Sequence, residues 1–510
     1  MILSLFSSRP DHPLADAKEL KRILAEIPLD NAFKAVDELS GWLESLANAN
    51  GFRADLLFDV VRQIDDVAQA HLKKLARDYL NSPRLSRSEE KKLWSAVSGY
   101  FERFSLLGGR CLQQVMNAPK GDRGVDALKP SLPLLAARTI VALAQMAKWV
   151  GFRYGPVNDA LWKSLGQAYL VAESLKSVQK PVQLYPNMPG STTVTAEYLH
   201  ALAFNASSMD SLMPLEIELA DRLIGHYISG FDFSADPKPS SVYWVDAALA
   251  QGPKRMAKLP QVVTPTLRFF SPGSVPQAIA DTIRLVERGD LPDSLNLGGQ
   301  YLPRTVLPVL RHLALYWAAQ PPLREHARHD VKTRLAVLQG FEDSFMVFAG
   351  EVARAGKERT AESWVVENVS LGGFCAAIEN LRNDWLKVGT LISMQPAGGE
   401  NWVLGIVRRF VKDDDTHATV GIQTLARQAL SVRLLPRAST YGAPADVPGI
   451  RLPEDKVPGE VRMVLPIATF DVRETLEYVN GERRYLLTPI ELLESCGDFE
   501  IARYRELVES

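Results

Sequence analysis

Two stretches hold the residues whose types and spacing could do chemistry. One is residues 324–328, REHAR; the other is residues 364–374, WVVENVSLGGF. Trp364, Val365 and Val366 are strand formers, and Asn368, Ser370, Gly372 and Gly373 are turn formers. A strand ending in such a cluster gathers backbone amides, an Asn carboxamide and a Ser hydroxyl in one small space. Glycine there lets a ligand approach the backbone closely. Arg324 and Arg328 are planar, permanently charged donors that suit phosphate and stack on flat rings. Together these groups fit a phosphate-bearing ligand with flat rings. Each half also has a plainer reading, NVSLGG as a hairpin turn and REHAR as a solvated linker.

The elements that must position these groups are strands. Strand-like runs occupy residues 334–339, 344–349, 363–367, 373–378, 390–394, 402–410 and 418–423, separated by turn signals such as PAGGE and KDDDT. Short strands at this spacing predict a small antiparallel barrel. Upstream, Val306, Leu310, Leu313 and Trp317 line one face of a helix that Pro321-Pro322 stops. Arg324 and Arg328 therefore lie on a strap, residues 321–333, joining a helical region to the barrel.

The order of the two motifs resembles the PilZ domain, a bacterial receptor domain for cyclic di-GMP. Its RxxxR is matched by Arg324 and Arg328, and its [D/N]xSxxG by Asn368, Ser370 and Gly373. NWVLGIVRRF (401–410) and ATVGIQTL (418–425) are similar to its closing strands, so the resemblance spans residues 324–436. It implies cyclic di-GMP as ligand, with the arginines gripping phosphates and stacking on guanine. Asn368 and Ser370 would bond a guanine edge or phosphate, with Gly372 and Gly373 beside them. It further implies a signalling effector without a cofactor, whose helical region meets a protein partner. Ligand would pull the strap inward, and the helix from Val306 to Trp317 would turn with it. Two departures keep a second reading open, an adaptor with a ligand-dead barrel. The gap between motifs is long, and its charged insert, AGEVARAGKERTAE (349–362), offers rival arginines, Arg354 and Arg359, spaced one residue too wide.

The expected fold class is multidomain α + β, with a mostly helical N-terminal region, the PilZ-like barrel and a C-terminal αβ appendage. The expected domains are residues 1–320 (with a subdomain boundary near Asp236), 321–439 and 440–510. Leu57, Val60, Val61, Ile64, Ala68, Leu72 and Leu75 form one helical stripe. Ser86 and Glu89 predict a capping box, and Gly108-Gly109 predicts the end of that helix. Trp162, Leu165, Gly166 and Tyr169 reproduce half a tetratricopeptide signature, but no 34-residue repeat follows, and core packing is the preferred reading. Residues 232–299, rich in Pro and Gly, predict loops with short helices, and Asn296 to Gly299 (NLGG) predicts a turn before a helix. In the tail, Asn480-Gly481 signals a hairpin. Thr488, Pro489 and Glu491 then predict a helix start, with Leu492, Leu493, Phe499, Ile501 and Tyr504 on the helix.

Composition narrows the function classes. The 510 residues are 46% hydrophobic and 23% charged, ordinary for a soluble globular chain, with a net charge of −2. Residues 324–437 hold 15 Lys+Arg and 14 Asp+Glu, so the basic excess of a nucleic-acid binder is missing. Cys111, Cys375 and Cys496 lie far apart, which suits a reducing cytoplasm. The apolar run 132–152 is broken by Pro133, Arg138, Gln145 and Lys148 and reads as a buried helix rather than a membrane span. Asp413, Asp414 and Asp415 read as a solvated hairpin tip, and His326 and His329 lack the companions of a metal site. No enzyme motif is present: no G-x-S-x-G, H-E-x-x-H, Walker loop or Rossmann fingerprint.

Overall fold

Apolar residues at helical spacing dominate the first 320 positions, and helices form there. The computed structural model describes residues 10–81, 85–299, 301–320, 327–351, 361–381, 385–437, 446–454 and 457–509. Its N-terminal helices are α1 (Ala17–Glu26), α2 (Ala32–Asn48), α3 (Ala54–Asn81), α4 (Arg87–Asn117), α5 (Arg123–Leu128), α6 (Leu132–Gly151), α7 (Asp159–Ser174), α8 (Val194–Ala206) and α9 (Pro214–Tyr227), then α10 (Val275–Glu287) and α11 (Pro303–Trp317). The stripe from Leu57 to Leu75 is the buried face of α3. The Ser86–Glu89 capping box opens α4.

Gly108-Gly109 does not end α4, which runs on to Asn117. A Cβ on Gly108 would lie 2.2 Å from Thr139 Oγ1 of α6. That glycine marks close helix–helix approach. Trp162, Leu165, Gly166 and Tyr169 are buried along α7, and a Cβ on Gly166 would lie 1.9 Å from the Ala247 carbonyl oxygen. The tetratricopeptide-like fragment is thus a packing surface. Arg123–Gly151 is the one stretch among the described residues long and apolar enough to cross a membrane, yet 61% of its apolar window is buried inside the protein. Its Arg138 pairs with Asp65 and Asp66, and its Lys148 with Glu218 and Asp221, so α6 behaves as a core helix.

Residues 232–299 hold more order than loops with short helices. β1 (Asp232–Ser234), β2 (Tyr243–Asp246), β3 (Lys254–Arg255) and β4 (Leu267–Ser271) form an antiparallel sheet in the order β1-β4-β2-β3. β4 is buried throughout, which replaces the alternation that would have announced it. NLGG is a turn ahead of α11, with Asn296, Gly298 and Gly299 at positive φ. α11 buries Val306, Val309, Leu310, Leu313 and Trp317. Trp317 Nε1 donates to Ser207 Oγ at 2.9 Å, and Arg255 donates to the carbonyls of Tyr316 and Ala318.

By its contacts the chain divides into two compact units. The first comprises Met1–Arg153, Val157–Met209 and Pro214–Pro322; the second comprises Tyr154–Pro156, Asp210–Met213 and Leu323–Ser510. The second unit contains the expected antiparallel barrel. β5 (His329–Gln339), β6 (Glu362–Ser370), β7 (Gly373–Ile378), β8 (Leu391–Pro396), β9 (Val403–Lys412) and β10 (Ala418–Ala426) close in the order β10-β7-β6-β5-β8-β9. Trp364, Val366, Ala376, Ile392, Phe410 and Val420 fill it, together with Tyr154, whose ring lies 5.3 Å from that of Phe410. The Glu362 carboxylate accepts from the indoles of both Trp364 and Trp385, pinning the start of β6. Residues 344–349 are not a strand: α12 (Gly340–Phe348) occupies them. Gly340, at φ +84°, ends β5, and Asp498 accepts the Phe341 N–H at 3.2 Å. Phe341, Ser344 and Val347 are then buried at helical spacing.

The C-terminal αβ appendage is a second closed barrel. β11 (Leu430–Pro436), β12 (Val447–Glu454), β13 (Glu460–Pro466), β14 (Leu476–Asn480), β15 (Arg483–Ser495) and β16 (Phe499–Glu509) close in the order β11-β12-β13-β16-β15-β14. The hairpin at Asn480-Gly481 forms between β14 and β15. The helix read from Thr488, Pro489 and Glu491 does not: those residues lie in β15. A register shift between Pro489 and Glu491 accommodates the proline. Leu492 and Leu493 continue β15, and Phe499, Ile501 and Tyr504 are buried on β16. The local capping pattern loses to the long β15–β16 pairing, which no short window of sequence displays. β11 also moves the expected division at 439/440, since it belongs to the second barrel. The two barrels share a core in which Leu391, Leu404 and Ile406 meet Ile450, Val464, Phe499 and Ile501.

Candidate functional site

The pairing of β5 with β6 joins the two motifs. His329 lies opposite Val369, and Asp330 opposite Asn368. The ladder ends there, and Arg328 is the residue that precedes β5. Arg328 is exposed, while Asn368 and Ser370 are half-buried. The structure thus brings Arg328, Asn368 and Ser370 to one end of the β5–β6 pair. Arg324, His326 and the rival arginines Arg354 and Arg359 lie outside the described residues.

The turn between β6 and β7 holds Gly372 and Gly373. Ser370 pairs with Gly373 across it, and Ser370 Oγ donates to the Gly373 carbonyl at 3.4 Å. The Gly372 carbonyl accepts the Thr424 N–H at 2.9 Å, tying the turn to β10. A Cβ on Gly373 would lie 1.9 Å from the Ile422 carbonyl oxygen. The close approach that requires glycine here is that of β10, and φ at Gly373 is not in the left-handed region.

A β-bulge between Val366 and Asn368 sets Asn368 directly opposite Cys375 of β7. Cys375 faces Gly421 of β10, and Gly421 faces Arg409 of β9. Asp330, Asn368, Cys375, Gly421 and Arg409 therefore form one lateral row over the outside of five adjoining strands. Glu367 Oε2 lies 3.8 Å from Cys375 Sγ. Burial and Glu367 push the Cys375 thiol above its usual range, against the pull of Arg328 and Arg409. Arg409 Nε also lies 2.5 Å from Asp210 Oδ2. Sequence reading missed Cys375, Gly421 and Arg409, because only strand register assembles them. The motif NWVLGIVRRF contains Arg409 without distinguishing it from Arg408, which instead pairs with Glu494.

At the β9–β10 tip, Asp414 accepts from Thr416 N–H and His417 N–H, so this acid organises the turn. His329 begins β5 and is exposed. Among the described residues, no three His, Cys, Asp or Glu side chains are grouped to hold a metal ion.

Residues 18–238 match the family model described as the N-terminal domain of the cyclic-di-GMP receptor FimW, and residues 346–430 match that of its middle PilZ domain. The second match takes in Asn368, Ser370, Gly372 and Gly373 and begins after Arg328. No curated protein matches the chain.

Proposed function

We propose, for a chain that belongs to the FimW family of cyclic-di-GMP receptors, that cyclic di-GMP binds on the first barrel at the β5–β6 end and that occupancy is read out by a protein partner of the helical region. The observation that supports this reading is the β5–β6 register, in which Asp330 lies opposite Asn368 and His329 opposite Val369, with Arg328 the residue before them. A guanidinium there is placed to take a phosphate, and the Asn and Ser side chains to take a guanine edge or a second phosphate oxygen. Arg324 would add a second guanidinium from the strap. On this reading the chain is a receptor and not an enzyme.

Readout requires an arrangement that binds ligand better than its alternative. α11 is fastened within the first unit by its buried face, Trp317 and Arg255. It would therefore not turn alone with the strap. Calorimetric titration of the full chain with cyclic di-GMP tests the binding reading. Saturable heat that Arg328→Ala and Asn368→Ala each reduce supports it, and a flat wild-type titration refutes it. Partner capture with and without cyclic di-GMP, alongside small-angle scattering, tests the coupling. An unchanged partner set and an unchanged scattering curve refute it.

A further inference from the structure

We infer that the ligand footprint extends sideways over the outside of the first barrel, from Asn368 across Cys375 and Gly421 to Arg409, and that bound ligand takes the Arg409 guanidinium away from Asp210. The inference rests on the cyclic-di-GMP reading above and adds a second anchor and an exchange of partners to it. The register supplies the geometry, because Asn368 faces Cys375, Cys375 faces Gly421, and Gly421 faces Arg409. Three strand spacings of about 4.8 Å separate the two ends of the row. Among the described residues of this row, a thiol and a residue without a side chain stand between them, so the middle is low and both ends carry polar groups. A cyclic dinucleotide has two phosphates and two flat bases. Arg409 stands at the β9 end of the row and Arg328 two residues before Asp330 at its β5 end, which suits one guanidinium per phosphate. The acid beside the floor, Glu367, presents an acceptor that suits the N1–H and N2–H edge of a guanine.

Arg409 is already engaged: its Nε lies 2.5 Å from Asp210 Oδ2, and the Arg409 side chain is 62% exposed. An exposed ion pair contributes little and is readily exchanged. Asp210 belongs to the short segment Asp210–Met213 of the second unit. Ligand that recruits Arg409 would release this segment's acid, coupling occupancy to a residue outside the barrel strands.

The test is a double-mutant cycle on the full chain, read by calorimetry with cyclic di-GMP. Arg409→Ala is expected to weaken binding 10-fold or more. Asp210→Asn is expected to tighten binding several-fold, because it removes one competitor for Arg409. In the Arg409→Ala background the Asp210→Asn gain should vanish. Alkylation of Cys375 by N-ethylmaleimide should slow when cyclic di-GMP is bound. Wild-type binding with Arg409→Ala unaffected overturns this inference and leaves the receptor reading standing. A gain from Asp210→Asn that persists without Arg409 also overturns it, since general electrostatics would then account for the gain. A wild-type chain that fails to bind overturns both readings.

Discussion

Gly373 should behave as a packing residue whose loss is felt before any ligand is added. Its absent Cβ would sit 1.9 Å from the carbonyl oxygen of Ile422, well inside any real contact. The obstacle is backbone, and β10 is held on both sides by β7 and β9, so it cannot rotate out of the way. Overpacking of this kind costs about 1–3 kcal/mol, and the rigid obstacle puts Gly373→Ala toward the upper end. For a unit of this size each kcal/mol moves Tm by about 2–4 °C, so ligand-free Gly373→Ala should melt roughly 4–12 °C lower in the barrel transition. Hydrogen exchange at the Phe374 and Ile422 amides should speed up with it. Gly41→Ala is the control, since nothing lies within 4 Å of a Cβ there and alanine suits the interior of α2. If Gly373→Ala melts and exchanges like wild type yet loses cyclic di-GMP, the glycine serves ligand approach and the packing argument fails.

Arg328→Ala should weaken cyclic di-GMP binding by about 10- to 150-fold, from one lost charge-assisted hydrogen bond of about 1.5–3 kcal/mol. Its Tm should not change, because the side chain is exposed; full affinity in this variant, with losses in Arg354→Ala and Arg359→Ala, would move the site to the insert. Asn368→Ala and Ser370→Ala should each lose about 1 kcal/mol of binding by calorimetry, and unchanged isotherms in both would reduce NVSLGG to a hairpin turn. Burial raises the Asp65 carboxyl to about 6, against Arg138, Gln69 and Tyr100, which lower it. A raised folded pKa stabilises fully below the unfolded value and loses that contribution as pH rises through the folded one. Chemical denaturation should therefore show on the order of 2–3 kcal/mol less stability at pH 7 than at pH 4 from this group, and Asp65→Asn should remove that part of the pH dependence. An identical pH profile in both proteins would refute the assignment.

What could be read from the chain was whatever is written locally. The α3 stripe, the Ser86 capping box and the Asn480-Gly481 hairpin each occupy a few neighbouring residues, and each forms. The errors fall where a distant partner decides. Gly108 looks like a stop until Thr139 is placed against it. The Thr488-Pro489-Glu491 pattern looks like a cap until β16 pairs with β15. The same limit governs the candidate site. Asn368, Ser370 and Arg328 are visible as a motif, but their neighbours Cys375, Gly421 and Arg409 come from three other strands. Gly373 is visible as a turn glycine, but its close contact with Ile422, about fifty positions later, is not.

The shared core of the two barrels has a consequence for how the protein is made. A ribosome delivers β5 to β10 first, and domains generally fold as they emerge. Yet the first barrel's Leu391, Leu404 and Ile406 pack against Phe499 and Ile501 of β16. β11 stands three residues beyond β10 and finds its neighbours only in β12 and β14. Until β16 has been synthesised, the nascent chain presents an apolar patch and an open strand edge, the features that invite chaperones or aggregation. A premature stop codon anywhere between residues 440 and 498 should therefore yield a product cleared by proteolysis, even though the entire matched PilZ segment would already have been translated.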